Sequence, residues 1–545
     1  MKNALLGFLL LLGCAAVQAQ SKTGTITGRV MDESGQPLAG ATVSASSALA
    51  VRVTVRSAPT DEDGRFQLTG LSSGAFLLSA SSPAYVMKPM LDAAGEPRYV
   101  RDGDVVAITM ARGGVITGRV LDASGEPIAG MKVQATRTPE VESRSLPRNL
   151  FANGFATRTD DRGVYRIFGL PAGAYVVGTD GADSGWSWNA DEYAEDAPTY
   201  HPNSTRDGAT ALTVAAGEER TDIDIRYRGE RGRTVSGQFS DSGSTGIVYV
   251  ELLKPGTGTV IAFSWQSIWA PRSNQNVGFD LRGIPDGEYD LVADRRDGED
   301  DGATSPRRRI TVSGADVTGI ALRLTPYASV SGKLQLVDGP VACPAPPRGA
   351  IEETAVTLLS EAPPPPPTES AFTSFPTPQS EFRIRYLPGG RYRLRLQPAS
   401  EDWYVRAIAR PAQKLDLART GISLKAGEQF KDVLVTLSTG AAGLQGTLKA
   451  AARVHLVPVE KEAADDPLRY FETDTVDGGF AFRNLPPGKY WLLARTPTAS
   501  EAPRTPLAWD AAARAQLRRD AEAANQLIDL SPCARVKGVA MRMQK

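Results

Sequence analysis

The chain is poor in the residues from which most catalytic centres are built. Of 545 residues, two are histidine, His201 and His455, and three are cysteine. A zinc hydrolase needs three protein ligands beside an open position. Here His201 is followed by Pro-Asn-Ser and His455 by Leu-Val-Pro, so the His-x-x-Glu spacing is absent. A Ser-His-Asp triad would need one of these histidines as its base, and no Gly-x-Ser-x-Gly elbow accompanies either. A glycosidase needs only two carboxylates, but nothing singles out a pair among 62 acidic residues. An excess of one charge is also lacking. Lys and Arg number 61, and the net charge of −1 gives no electrostatic reason to bind nucleic acid. No cofactor, no metal and no enzymatic activity are expected.

Long apolar runs are missing beyond the N-terminus, so the mature chain is expected to have no transmembrane segment. The terminus itself reads as an export signal over residues 1–19. Lys2 precedes the apolar "ALLGFLLLLG", and "VQA" offers a small-residue cleavage site after Ala19. The alternative is lipidation: "LLGC" resembles a bacterial lipobox ending at Cys14. Either route predicts an exported protein, periplasmic or extracellular, with a lipid-anchored envelope protein as the alternative.

What the chain has in quantity is glycine (53) and proline (38), set between short alternating runs, the pattern of turns in an all-β protein. It also has repeats. "TGRVMDESGQPLAG" (27–40) returns as "TGRVLDASGEPIAG" (117–130), and "TDEDGRFQLTGLSSGAFLLSA" (60–80) as "TDDRGVYRIFGLPAGAYVVGT" (159–179). Each front half reads strand, turn, strand. Gly35 and Gly125 take the left-handed turn position, and Pro37 and Pro127 set the exit direction. In the back half a tight turn leads into an alternating strand, with Phe66 and Leu68 on one face. Three later segments keep the back half: "VGFDLRGIPDGEYDLVA" (277–293), "SEFRIRYLPGGRYRLRL" (380–396) and "GGFAFRNLPPGKYWLLA" (478–494). Matching starts stand at 26–30, 116–120, 235–239, 330–334 and 444–448. Five modules follow, over 24–112, 114–230, 232–326, 328–439 and 440–545.

These phrases resemble the carboxypeptidase regulatory-like family, closely in the first two modules and through the back half in the last three. The resemblance implies a tandem array of five transthyretin-like β-sandwiches, a carbohydrate-binding-like fold. It implies a binding or spacer role and no reaction. "LPPGKYWLLA" also resembles the crosslinking strand of pilin-type modules, but the text continues "RTPTASEAP", without the Glu-Thr-x-x-Pro that such a crosslink would require.

Insertions interrupt the repeat. Residues 361–370 are proline-rich and read as a stiff solvated loop. Residues 506–527 are rich in Ala, Leu, Arg and Glu and predict a helix in the last module. Oxygen-rich turns at Asp61 and Asp63, and at Asp297, Glu299, Asp300 and Asp301, are explained by Asx turns without an ion. Two insertions carry aromatics: Trp186, Trp188, Tyr193 and Tyr200 in the second module, Trp265 and Trp269 in the third. Flat rings beside polar groups suit pyranose stacking, so these residues are candidates for polysaccharide binding. Plugging the seams between modules is the competing role. Trp403, Trp491 and Trp509 read as packing. Cys343 and Cys533 fall in neighbouring modules, and export permits a disulfide that would staple them; two separate thiols are the alternative. The expected molecule is a rod of sandwiches that binds polysaccharide or an envelope protein.

Overall fold

The computed structural model describes residues 24–541, apart from 48–53, 72–73, 91–97, 139–154, 180–192, 194, 241–244, 257–259, 269–275, 298–300, 342, 344–349, 362–370, 449, 451, 476–477 and 497–508. It is all-β, and one ladder occurs five times. The opening strands are Gly24–Asp32, Gly114–Leu121, Arg233–Ser240, Ala328–Val337 and Ala442–Thr447. Each pairs antiparallel with the strand that follows the second turn phrase: Arg65–Leu71, Val164–Leu170, Asn276–Ile284, Glu381–Leu387 and Gly479–Leu485. On its other edge each pairs parallel with a strand from the end of its module. A second ladder centres on Thr42–Ser47, Lys132–Thr138, Gly246–Leu253, Ala355–Ser360 and Arg453–Pro458. In the first module the two ladders join through Tyr85–Met87 into one seven-stranded sheet; in the other four they are separate sheets packed face to face.

The parallel closure explains a recurring glycine. Gly28, Gly118, Gly237, Gly332 and Gly446 each lie in an opening strand. A Cβ there would collide with a backbone carbonyl of the closing segment: that of Val106, Ile223, Ile320, Val433 or Val539. Opposite each glycine stands an aromatic residue, Phe66, Tyr165, Phe279, Phe382 or Phe480, and all five are buried. The missing side chain admits one backbone, and the ring across the ladder fills the space left on the core side. The glycine and the aromatic of the repeated phrases are therefore one cross-strand pair.

The same ladder carries a register shift in every module, just before its final pair. The residues at it have left-handed backbone: Gly70, Gly169, Gly283, Tyr386 and Asn484, with φ of 72, 73, 69, 58 and 55°. Four of these bulges receive the preceding module. Gly113 and Gly232, at the junctions, lie against the backbones of Gly169 and Gly283. Tyr327 packs edge-on against Tyr386, ring centroids 5.8 Å apart. The Asn484 amide donates to the carbonyls of Ser400 and Trp403, both at 2.7 Å. Junctions are correspondingly short. One residue separates Arg112 from Gly114, and one separates Pro326 from Ala328.

Five apolar clusters, one per module, make the cores. Alternation supplies them from both sheets; in the first, Ile26, Val30, Val43, Phe66, Leu68 and Ile108 point inward. Two expectations are corrected. The helix spans Ala511–Ala524, shorter than 506–527, because its capping residues lie inside that range. Asp510 accepts from the Ala513 amide at 2.7 Å and starts it, and Asn525, in left-handed conformation, ends it. The array is also not a straight rod, since the first module touches the fourth.

The glycine–carbonyl contact makes a contrast within the third module. Gly237→Ala is expected to lower stability by about 1–3 kcal/mol or more, because a backbone atom must give way. Gly278→Ala, with nothing nearer than a carbonyl at 3.9 Å, is expected to leave the denaturation midpoint unchanged or raise it slightly. Urea unfolding of the two variants checks this.

Candidate functional site

The recurring polar residues are occupied by the fold. Asp32 Oδ1 accepts from the amides of Ser34 and Gln36 and from the Ser34 hydroxyl, and Asp122 repeats the arrangement with Ser124 and Glu126. These hydrogen bonds, the serine hydroxyls first, hold both carboxyls below the usual aspartate range. Asp61 accepts from the Arg65 amide at 2.7 Å, Asp160 from that of Val164 at 2.8 Å, and Asp63 pairs with Arg65. Thr60 and Thr159, buried at matching turns, each accept one backbone amide and donate to one carbonyl.

The Pro-x-Gly-x-Tyr phrase is a corner lock. Tyr175, Tyr289, Tyr392 and Tyr490 each donate to the carbonyl of the proline four residues earlier, at 2.6 to 2.8 Å. Burial pushes the hydroxyls of Tyr175, Tyr392 and Tyr490 up to about 12, and that of Tyr289 also rises. The first module has Phe76 at this place and no proline. Its corner is held instead by the Phe76 and Val100 backbones, which exchange hydrogen bonds of 2.8 and 2.9 Å.

Both histidines have partners within the fold. His201 Nδ1 meets the Asp224 carbonyl at 2.6 Å. His455 lies buried beneath the helix, on the outward side of the last module's second sheet. Arg495 Nε donates to its Nε2 at 3.1 Å, so Nε2 carries no proton, and Nδ1 faces Glu472 at 3.5 Å. Burial, aided by Arg495 and Arg453, pushes its pKa down to about 3. The adjoining cavity, lined by Tyr470, Glu472 and Leu517 among others, holds about 30 Å³, the space of a water and not of a sugar. The helix closes this face: Leu517 and Ala521 pack on Val457, Trp491 and Leu493, and the Arg518 guanidinium lies 5.2 Å from the Trp491 ring centroid.

The aromatic candidates separate. Trp186, Trp188 and Trp269 lie outside the described residues, as does Cys14. Tyr193 packs edge-on against Tyr227, centroids 5.6 Å apart, beside the second core. The segment that follows it reaches the seam with the third module, where Glu195 meets Arg231 and Arg282. Tyr200 bridges to Gly178 and takes the Arg206 guanidinium over its ring. Trp265 is different. It lies on Val260–Ile268 directly opposite Tyr249, on the outward face of the third module's second sheet, and is 40% exposed. Trp403 and Trp491 are buried, and Trp509 lies beneath the Arg393 guanidinium. Sequence reading missed Tyr249 as the partner of Trp265, since only strand register brings them together.

Cys343 and Cys533 are bonded, with an S–S distance of 2.02 Å. The bond sits at the junction of the last two modules, where the Cys533 amide also donates to the Gly440 carbonyl at 3.1 Å. Arg535 adds a bond to Asp402 at 2.7 Å, and Arg483 one to Glu401 at 2.7 Å. Among the described residues no three His, Cys, Asp or Glu side chains gather as a metal site, and no helix is long and apolar enough to cross a membrane.

The family model of the carboxypeptidase regulatory-like domain matches residues 25–90 and 115–186. The two matched stretches fall in the first two modules, which are similar to that domain. The three later modules repeat their ladder order. Among solved structures, the Bacillus anthracis TIE protein is similar at 12% identity, over 78% of this chain and 76% of that one, with a TM-score of 0.15. A streptococcal ancillary pilin is similar at 12% identity, over 56% and 100%, with a TM-score of 0.16. BcpA, the major pilin subunit of Bacillus cereus, is similar at 9% identity, over 60% and 100%, with a TM-score of 0.14. No curated protein matches.

Two outcomes follow for the occupied groups. Tyr392→Phe is expected to cost about 0.5–1.5 kcal/mol, the net worth of one hydrogen bond, read as a lower melting temperature. For His455 the folded pKa lies below the ordinary value near 6.5. Between those two values the unfolded chain binds a proton that the folded chain refuses, so stability falls as pH drops from about 6.5 toward 3. Urea midpoints from pH 7 to 4 are expected to fall less steeply for His455→Gln than for the wild type. Equal slopes would show that the imidazole does not titrate this way.

Proposed function

We propose that this chain is a non-catalytic, exported binding array of a bacterial envelope, presenting the outer faces and loops of five β-sandwiches to a partner. The observation that carries this reading is the occupation of its recurring polar side chains. The turn aspartates, the corner tyrosines and both histidines are engaged in holding backbone or lie closed off from solvent. The export signal read over residues 1–19 supports a periplasmic or extracellular location, with lipidation at Cys14 as the alternative.

A second reading has its own observation. Trp265, with Tyr249 beside it and Glu251 and Ser267 on the same outward face, supports recognition of polysaccharide through ring stacking. Trp186, Trp188 and Trp269 are the further candidates for it. Pull-down of the mature protein with insoluble polysaccharides and with envelope protein fractions tests both readings. Polysaccharide capture that falls at least about tenfold in Trp265→Ala, the loss expected of a buried aromatic anchor, supports the second. Capture of an envelope protein by the wild type and by Trp265→Ala alike supports the first. Soluble sugar or peptide products released from the same materials would overturn the non-catalytic reading.

A further inference from the structure

Two whole modules separate the first sandwich from the fourth, yet the two meet. Ala75 of the first and Ala355 and Phe375 of the fourth are buried in one small cluster with Tyr99 packed against it. The Tyr99 and Phe375 rings meet edge-on with centroids 5.2 Å apart. Beside them the Arg101 guanidinium donates to the Glu353 carbonyl, at 2.9 Å from Nη2 and 3.2 Å from Nε. The Glu353 carboxylate stands 4.0 Å from the same Nε. Burial at this patch pushes the Glu353 carboxyl up and the Arg101 guanidinium down.

The contact differs in kind from the seams between consecutive modules. Those form at the ladder bulges, through backbone at the first two and through Tyr386 and Asn484 at the last two, across linkers as short as one residue. The first and fourth modules meet through two rings, small side chains and one arginine. Among the described residues no strand ladder crosses between them, and each side is anchored in its own sandwich: Ala75 precedes Phe76 of the first core, and Ala355 pairs with Gln397 within the fourth. Undocking would break this patch and leave every ladder whole. A patch this small holds because the chain keeps its two halves at high effective concentration, and interfaces of this size between domains ordinarily permit relative motion.

We propose that this patch is a latch, which closes the array by docking the first module on the fourth and whose release lengthens the molecule while all five modules stay folded. Release also bares Tyr99 and Phe375, so the open array shows apolar surface that the closed one hides.

Small-angle X-ray scattering of the full mature chain, with amide hydrogen exchange, tests the latch. The wild type is expected to be compact, with protected amides in all five sandwich cores. Ala75→Arg, which places bulk and charge in the cluster, and Arg101→Ala, which removes the donor without adding bulk, are both expected to increase the maximum dimension. Both should keep amide protection in all five sandwich cores, since release breaks no ladder. A wild type already as long as the variants overturns the proposal, and so do folded variants that remain compact. Loss of core protection in the first or fourth module in both variants also overturns it, since the patch would then belong to a module's core.

Discussion

Each module depends on one close contact: the carbonyl of its closing segment lies against a glycine of its opening strand. Parallel pairing brings the end of a module back beside its start, and the chain is there too near for any side chain. The other recurring features surround that contact. The aromatic residue across the ladder covers the glycine from the core side. The bulge follows where the ladder runs out, and its left-handed residue forms the seat for the module before. Close packing within a sandwich and the fit between sandwiches thus arise from one short strand.

This arrangement accounts for which words of the repeat persist. The front-half turns at Gly35 and Gly125 guide a local reversal, and the later modules do without them. The glycine of the opening strand, its aromatic partner and the corner after the fourth strand fix long-range geometry, and all five modules keep these or a close substitute. Phe76 shows how much substitution the corner allows, since a pair of backbone hydrogen bonds replaces the tyrosine hydroxyl.

The fold class was legible because alternation and turn chemistry are local, and local signals recur visibly. The reason for Gly118 or Gly332 was not legible, since the carbonyl each meets lies about a hundred residues away in sequence. Tyr386 and Asn484 hide the bulge for the same reason: left-handed backbone announces itself at Gly70, Gly169 and Gly283 but not at a tyrosine. The helix was visible in composition, while its ends were set by Asp510 and Asn525, residues that composition does not weigh. Pairing of Cys343 with Cys533 and the meeting of Tyr99 with Phe375 are tertiary events with no periodic trace. At the candidate site Trp265 was picked out by type, whereas its exposure and its neighbour Tyr249 come from register. The sequence suggested a rod of sandwiches, and the contact between the first and fourth modules has no trace in the repeat.

The bond between Cys343 and Cys533 spans 190 residues of sequence and gathers most of two sandwiches into a single covalent ring. A protease that cuts the backbone once between residues 343 and 533 opens the ring without parting the chain. In an oxidising compartment rich in proteases, the C-terminal half of the array is therefore held together twice, by its folds and by its topology.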